Sequence, residues 1–163
     1  MTASDTDRTI TFKDAMAGFP SGVTVVTTID DTGKWWGFTA SSFCSLSVDP
    51  PLILVCLSTN AECHPVFAAA EKWVVHVIHA DQVDVALRFA TRGADKFAGD
   101  VFELDHRNLP RMHGAAVTLD CTTHARHEGG DHTILVGNVE QCYRGDYPPT
   151  VYTERAFHSL TRI

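Results

Sequence analysis

Apolar and polar positions along this chain repeat mostly in the short alternating or continuous runs of strands, and only short stretches repeat at helical spacing. Phe12, Ala15, Met16 and Phe19 follow a helical period, and Gly18 with Pro20 supplies a stop, so a helix is predicted over Phe12 to Gly18. GVTVVTTI, Gly22 to Ile29, is β-branched throughout most of its length. Asp30-Asp31-Thr32-Gly33 is turn chemistry leading into KWWGFTASSF, and the two runs predict a hairpin. Pro50-Pro51 breaks the chain before PLILVCL resumes as a buried strand. NAECHPVFAAAE reads as a short helix with Pro65 in its first turn. KWVVHVIHA, apolar on both faces, reads as a central strand. A further helix, Asp81 to Ala90, carries Val83, Leu87 and Ala90 on one stripe, with Val85, Ala86 and Phe89 widening it. DKFAG follows as a loop. AAVTLDCTTHARHE and HTILVGNVEQCYRG are long strands joined at Gly129-Gly130, a hairpin signal. Six or seven largely antiparallel strands with helices at the edges predict a mainly β fold with short helices, a barrel in one domain spanning 1–163.

Composition agrees with that picture. A chain of 163 residues, 44% apolar with nine Phe and three Trp, buries roughly 70% of its unfolded-chain surface and needs no staples. Residues 1–10 are expected to be flexible. The net charge of −7 disfavours a general grip on nucleic acid, which needs a positive face. Five cysteines with no C-x-x-C pair do not read as a disulfide framework. MTASDTDRTITFKD has acidic residues where a signal peptide is positive, and no apolar run reaches the ~18 residues of a membrane span; a cytoplasmic chain is expected.

The stretch GFTASSFCSLSVDPPLILVCL concentrates small hydroxyl residues directly before a buried strand. Gly37, Ala40, Ser41 and Ser42 let backbone approach a flat ligand closely, and the hydroxyls and free amides offer hydrogen bonds. An edge strand with Ser and Thr facing water is the bland alternative. His124, His127 and His132 with Asp131 are discounted as a metal cluster, because a spacing of three points strand residues to opposite faces and no Cys pair completes a zinc site. A Cys/His nucleophile fares no better, since nothing supplies an oriented base for Cys44. No carboxylate pair, Ser-His-Asp order or G-x-G-x-x-G is present.

FPSGVTVVTT followed by GFTASSFCSLSVDPPLILVCL closely resembles the N-terminal signature of the NAD(P)H:flavin oxidoreductases that serve as the small component of two-component flavin-dependent monooxygenases. VDVALRFATRGADKFAG resembles that family's helix and D-[KR]-F-x-G loop, and GGDHTILVGNVE its G-D-H-T strand, so the likeness runs from about Phe12 to Val139 in order. The resemblance implies a split β-barrel of the flavin-reductase type (FMN-binding split barrel), usually a homodimer. It implies hydride transfer from NADH or NADPH to FMN or FAD, and a separate oxygenase that receives the reduced flavin, in a transient encounter if by diffusion alone.

Carried over by residue, the resemblance places Thr39, Ala40, Ser41, Ser42, Phe43 and Cys44 along the isoalloxazine and ribityl chain, with Ser47 in the same run. Ser58 and Thr59, followed by Asn60, and Lys96 with Phe97 in the D-K-F loop fall near the phosphate, where a lysine beside hydroxyl donors suits a dianion. His132 is implied at the barrel rim, facing the flavin and the nicotinamide. The bland alternatives are a solvated loop lysine and a turn-capping histidine. The C-terminal PPTVYTERAFHSL departs from the family's P-L-V-Y-F-R-G-x-Y: Tyr152 keeps its place beside the cofactor, while Glu154-Arg155 replaces a basic-glycine pair. A competing function is a flavin-binding electron-transfer or substrate-modifying protein of the same fold without free-flavin turnover.

Overall fold

The β-branched run after Pro20 forms two strands, β1 (Ser21–Gly22) and β2 (Thr24–Ile29), preceded by a short helix α1 (Phe12–Ala17). The computed structural model describes residues 9–163, so most of the stretch 1–10 lies outside the described residues. Thr11 caps α1, its hydroxyl oxygen accepting the Asp14 amide at 3.2 Å. After a turn at Gly33, φ +86°, β3 (Trp35–Ala40) returns along β2 with Ala40 opposite Thr24 and Trp35 opposite Ile29, as the turn residues predict. The chain continues through β4 (Phe43–Ser47), β5 (Leu52–Ser58), α2 (His64–Ala69), β6 (Lys72–Val77), a 3-10 turn (Ala80–Gln82) and α3 (Val83–Ala90). A small hairpin, β7 (Phe102–Leu104) and β8 (Pro110–Met112), precedes the long hairpin β9 (Val117–Gly129) and β10 (His132–Arg144), and β11 (Thr150–Thr153) with β12 (Ala156–Ser159) ends the chain.

Seven antiparallel strands make one sheet in the order β3-β2-β6-β9-β10-β5-β4. The predicted central strand, β6, lies between β2 and β9. The two edge strands, β3 and β4, are consecutive in the chain and joined only by Ser41-Ser42. The sheet therefore curls until its edges share that corner, without being hydrogen-bonded into a closed cylinder: this is the split barrel. Ser42 fastens the corner, its hydroxyl donating to the Cys56 carbonyl at 3.1 Å and accepting the Cys56 amide at 3.2 Å where the β4 ladder has not yet begun.

The barrel interior holds Trp73, Val26, Val55, Val75, Leu135 and Phe67 among others. Gly137 is required there, because a Cβ on it would stand 2.7 Å from the Trp73 ring. A second cluster lies under α3. Its buried face is Val85, Ala86 and Phe89, whereas Leu87 and Ala90 of the stripe read from sequence are exposed. Gly37 is also explained by this packing: a Cβ would stand 2.5 Å from the Phe89 ring and 2.8 Å from the Val26 carbonyl oxygen.

A separate sheet, β1-β11-β12, is closed by Glu154 and Arg155, both at positive φ (+49° and +58°) in the hairpin turn. Arg155 Nη2 reaches Asp14 Oδ1 at 2.8 Å and ties this turn to α1. Beside β7 and β8, a buried ion network joins Asp105, Arg107, Arg111 and Asp120. Asp120 Oδ1 faces Arg111 Nη2 at 3.0 Å and Arg107 Nη2 at 3.2 Å, and Asp105 Oδ1 takes the amides of Arg107 and Leu109. Asp105, His106 and Asp120 are the one metal-like grouping among the described residues, and both carboxylates are engaged by these guanidiniums.

His76 on β6 is fully buried, its Nδ1 donating to the Val25 carbonyl at 2.9 Å and its Nε2 accepting the Met112 amide at 3.0 Å. Burial pushes its pKa down to about 4, against the Val25 contact, which raises it. Between the ordinary value of 6.5 and about 4, the unfolded chain binds a proton that the folded chain refuses. Stability is therefore expected to fall by about 3 kcal/mol as pH drops through that window. Urea midpoints at pH 7 and pH 4.5 test this, and equal midpoints would show that His76 does not couple folding to protons.

Candidate functional site

Strand register decides which predicted residues face together. Cys44 opposes Leu54, Ser47 opposes Leu52, and His132 opposes Ser58, so Cys44, Ser47, Leu52, Leu54, Cys56, Ser58, Ile134 and His132 share the outer face of β4, β5 and β10. Most of this face is half-exposed and apolar, a shelf with hydroxyl, thiol and imidazole groups at intervals. Phe43 opposes Val55 on the other face and packs into the core.

The Gly129-Gly130 signal produces a tight turn, with Gly129 and His132 paired and Gly130 at φ +69°. His132 thus starts β10 at the rim, its Nδ1 2.7 Å from Asp131 Oδ1 and its side chain 42% exposed. This contact holds the Asp131 carboxyl below its usual range. The Asp131 carbonyl accepts both the Thr59 amide at 2.9 Å and the Thr59 hydroxyl at 3.1 Å. The G-D-H segment and the Ser58-Thr59-Asn60 turn are therefore stitched together.

At the Ser58 end of the shelf opens a cavity of about 470 Å³, bounded by the start of β3, the loop after β5, and the end of α3 with its following loop. Ser58, Asn60, Lys96 and Phe97 line it. Lys96 Nζ donates to the Thr91 carbonyl at 2.8 Å, which folds the D-K-F loop back on α3. Phe97 packs edge-on against Trp35 and Phe89. Arg92, which the sequence reading passed over, also lines the cavity: its Nη1 donates to the Asn60 carbonyl at 3.1 Å and its Nε lies 3.7 Å from Glu62. The signal was present, a second basic residue four positions before Lys96 in the same loop. Buried Cys63 lines the same space with its thiol pushed by burial up to about 11, which leaves it protonated at neutral pH.

Other predicted residues lie elsewhere. The Thr39 hydroxyl donates to the Ala86 carbonyl on α3, and Ala40 is buried in the core. Ser41 is exposed at the corner, and the Ser42 hydroxyl is committed to β5. Tyr152 pairs with Ser21 and packs on Phe157 at 5.0 Å between ring centroids, and it does not line the cavity. The hydroxyl run thus builds a corner and one edge of the shelf, and its strand register alternately turns side chains inward.

Residues 16–161 match the model of the flavin reductase like domain. The chain belongs to that family. Among curated members, a protein named NADH:riboflavin 5'-phosphate oxidoreductase from Streptomyces pristinaespiralis is 42% identical over 92% of this chain and 87% of its own length. One named actinorhodin polyketide dimerase, from Streptomyces coelicolor, is 44% identical over 91% of this chain and 84% of its own. The solved NADH:FAD oxidoreductase of Streptomyces globisporus, in complex with NAD and FAD fragments, superposes with a TM-score of 0.85 at 33% identity, covering 91% of this chain and 90% of that one. Membership in the flavin reductase like family accounts for the split barrel and its mainly β composition with short helices. Among the described residues, no helix is long and apolar enough to cross a membrane.

Proposed function

We propose that this chain is a flavin reductase that passes a hydride from NADH or NADPH to FMN or FAD and supplies reduced flavin to a partner monooxygenase. One observation carries the reading: a half-apolar shelf runs past His132 and ends at a cavity holding Ser58 and Lys96. The donor set fits a flavin nucleotide, with a flat apolar surface for a ring and hydroxyls, amides and an ammonium for a phosphate dianion. When bound, a flavin supplies acceptance of a hydride at N5 from C4 of the reduced nicotinamide. The protein's part is alignment. Ser58, Thr59, Asn60 and Lys96 hold the phosphate end, while Cys44, Ser47 and the backbone of the Ser41-Ser42 corner border the ring. His132, its Nδ1–H held by Asp131, presents Nε2 at the rim to accept from the nicotinamide carboxamide N–H. Thr39 and Ala40 support that edge from behind, Phe97 walls the phosphate end, and Tyr152 braces the sheet that carries β1.

Residues 1–163 form a single domain in this reading, which places the chain in the cytoplasm, where nicotinamide dinucleotides are available, and in a homodimer. Leu46 and Val48, exposed beside the shelf, support a second copy against this face.

Anaerobic stopped-flow absorbance with FMN and then FAD, after mixing with NADH and separately NADPH, tests the function. Bleaching of the flavin band matched by nicotinamide oxidation is the expected result. Binding without bleaching would instead favour the substrate-modifying reading, which the polyketide dimerase relative keeps in view. His132→Ala is expected to lower kcat/KM for NADH about 10-fold at saturating FMN. An unchanged kcat/KM would remove His132 from the nicotinamide side.

A further inference from the structure

The cavity holds an aromatic ring that hydride transfer leaves without a task. Trp36 lines it, half-buried and packed in part against the barrel core. Its indole Nε1 donates to Asp30 Oδ2 at 2.9 Å, while Asp30 Oδ1 accepts the Thr32 hydroxyl at 2.6 Å and the Lys34 amide at 3.0 Å. The ring is thus clamped along one edge by a carboxylate that these bonds, led by the Thr32 hydroxyl, hold down to about 2. Over the ring sits the Lys34 ammonium, 4.1 Å from its centroid.

Arg92 lines the same cavity four residues before Lys96, and its bond to Glu62 is a loose surface pair with both side chains well exposed, 73% and 45%. Lys34, Arg92 and Lys96 therefore face Glu62 and Asp95 around one opening. A flavin mononucleotide needs only one cation for its phosphate. A fixed indole face, a lysine on a flexible stem above it and a second guanidinium suit a base joined to a second phosphate, because bases stack on aromatic rings whatever their identity and a guanidinium binds phosphate through two donors.

We propose that Trp36, Lys34 and Arg92 form a subsite for the adenosine diphosphate end of a dinucleotide, the adenine stacking on Trp36 and the second phosphate taken by Arg92 and Lys34. This rests on the flavin reductase reading of the same site. Adenine displaces Lys34 from the ring, and the freed ammonium turns to the phosphate. The same chemistry is carried by FAD and by NADH.

Calorimetric titration with ADP, which holds neither redox ring, tests the subsite apart from the reaction. ADP is expected to bind the unaltered protein, and Trp36→Leu and Arg92→Gln each to weaken it about 10-fold, about 1.4 kcal/mol, with Trp36→Phe restoring most of the loss. Melting curves confirm that each variant is folded. A rise in Kd for FAD with little change for FMN assigns the subsite to the flavin dinucleotide; a rise in KM for NADH with FMN as acceptor assigns it to the nicotinamide dinucleotide. No heat with ADP, or ADP affinity within twofold of the unaltered protein in both variants, overturns the proposal. Flavin reduction by NADH with FMN persists in that case if the reductase reading holds, and an absence of reduction with ADP binding intact would fail that reading alone.

Discussion

Lys96→Glu is expected to raise the Kd for FMN about 1000-fold, or about 4 kcal/mol, because it replaces the cation at the phosphate end with a like charge. The formal charge of −7 gives the protein no general attraction for an anion, so binding depends on the local cations at this mouth. Lys96→Met separates reversal from simple loss and is expected to cost about 30-fold, the range of a hydrogen bond to a charged group. Both variants also lose the bond to the Thr91 carbonyl, so melting temperatures must accompany the flavin titrations. Affinity within threefold of the unaltered protein in a folded Lys96→Glu variant would move the phosphate out of this cavity.

Asp120→Ala is expected to destabilise the fold by about 3 kcal/mol, since it removes the buried carboxylate that Arg107 and Arg111 share and leaves Arg107 only Asp105 and the Cys121 carbonyl. Arg107 and Asp120 have side chains 8% and 1% exposed, and Arg107 Nε and Nη2 already lack hydrogen-bond partners. Arg111 keeps a contact with the Tyr143 ring at 4.0 Å to the centroid, which limits its share of the loss. Replacing Asp105, Arg107 and Asp120 together with apolar residues of similar size is expected to recover much of the stability. Urea unfolding of the single and triple variants decides it, and a loss below 1 kcal/mol in Asp120→Ala would mean that water reaches the network.

Strand content and the two main hairpins were legible because turn residues mark them: Asp30 to Gly33 and Gly129-Gly130 sit where chain reversal demands them. The buried strand β6 was legible from its unbroken apolar run. What the pattern hid were contacts between elements. Gly37 borders the cavity, yet its lack of a side chain is also demanded by Phe89 packed behind it; Thr39 and Ser42 look like free donors and are bonded to α3 and β5. Resemblance named Lys96 and His132, and register then set His132 beside Ser58. Arg92 and Trp36 escaped notice, since their positions in one cavity depend on the approach of β3, α3 and the loop after β5. Glu154-Arg155 stands where the family shows a basic-glycine pair, and positive φ at both residues makes them the turn of the last hairpin, with Arg155 held by Asp14.

The pairing of β5 with β10 reaches across half the chain, from Leu57 to Thr133. During synthesis, at roughly 5–20 residues per second, β5 leaves the ribosome several seconds before its partner exists. For that interval the β4–β5 hairpin carries an open, apolar strand edge, with Val48 and Leu46 at its tip. Two nascent copies meeting then would join at the edge that β10 later occupies. Yield of soluble protein should therefore respond to translation rate and growth temperature more than to the stability of the finished barrel.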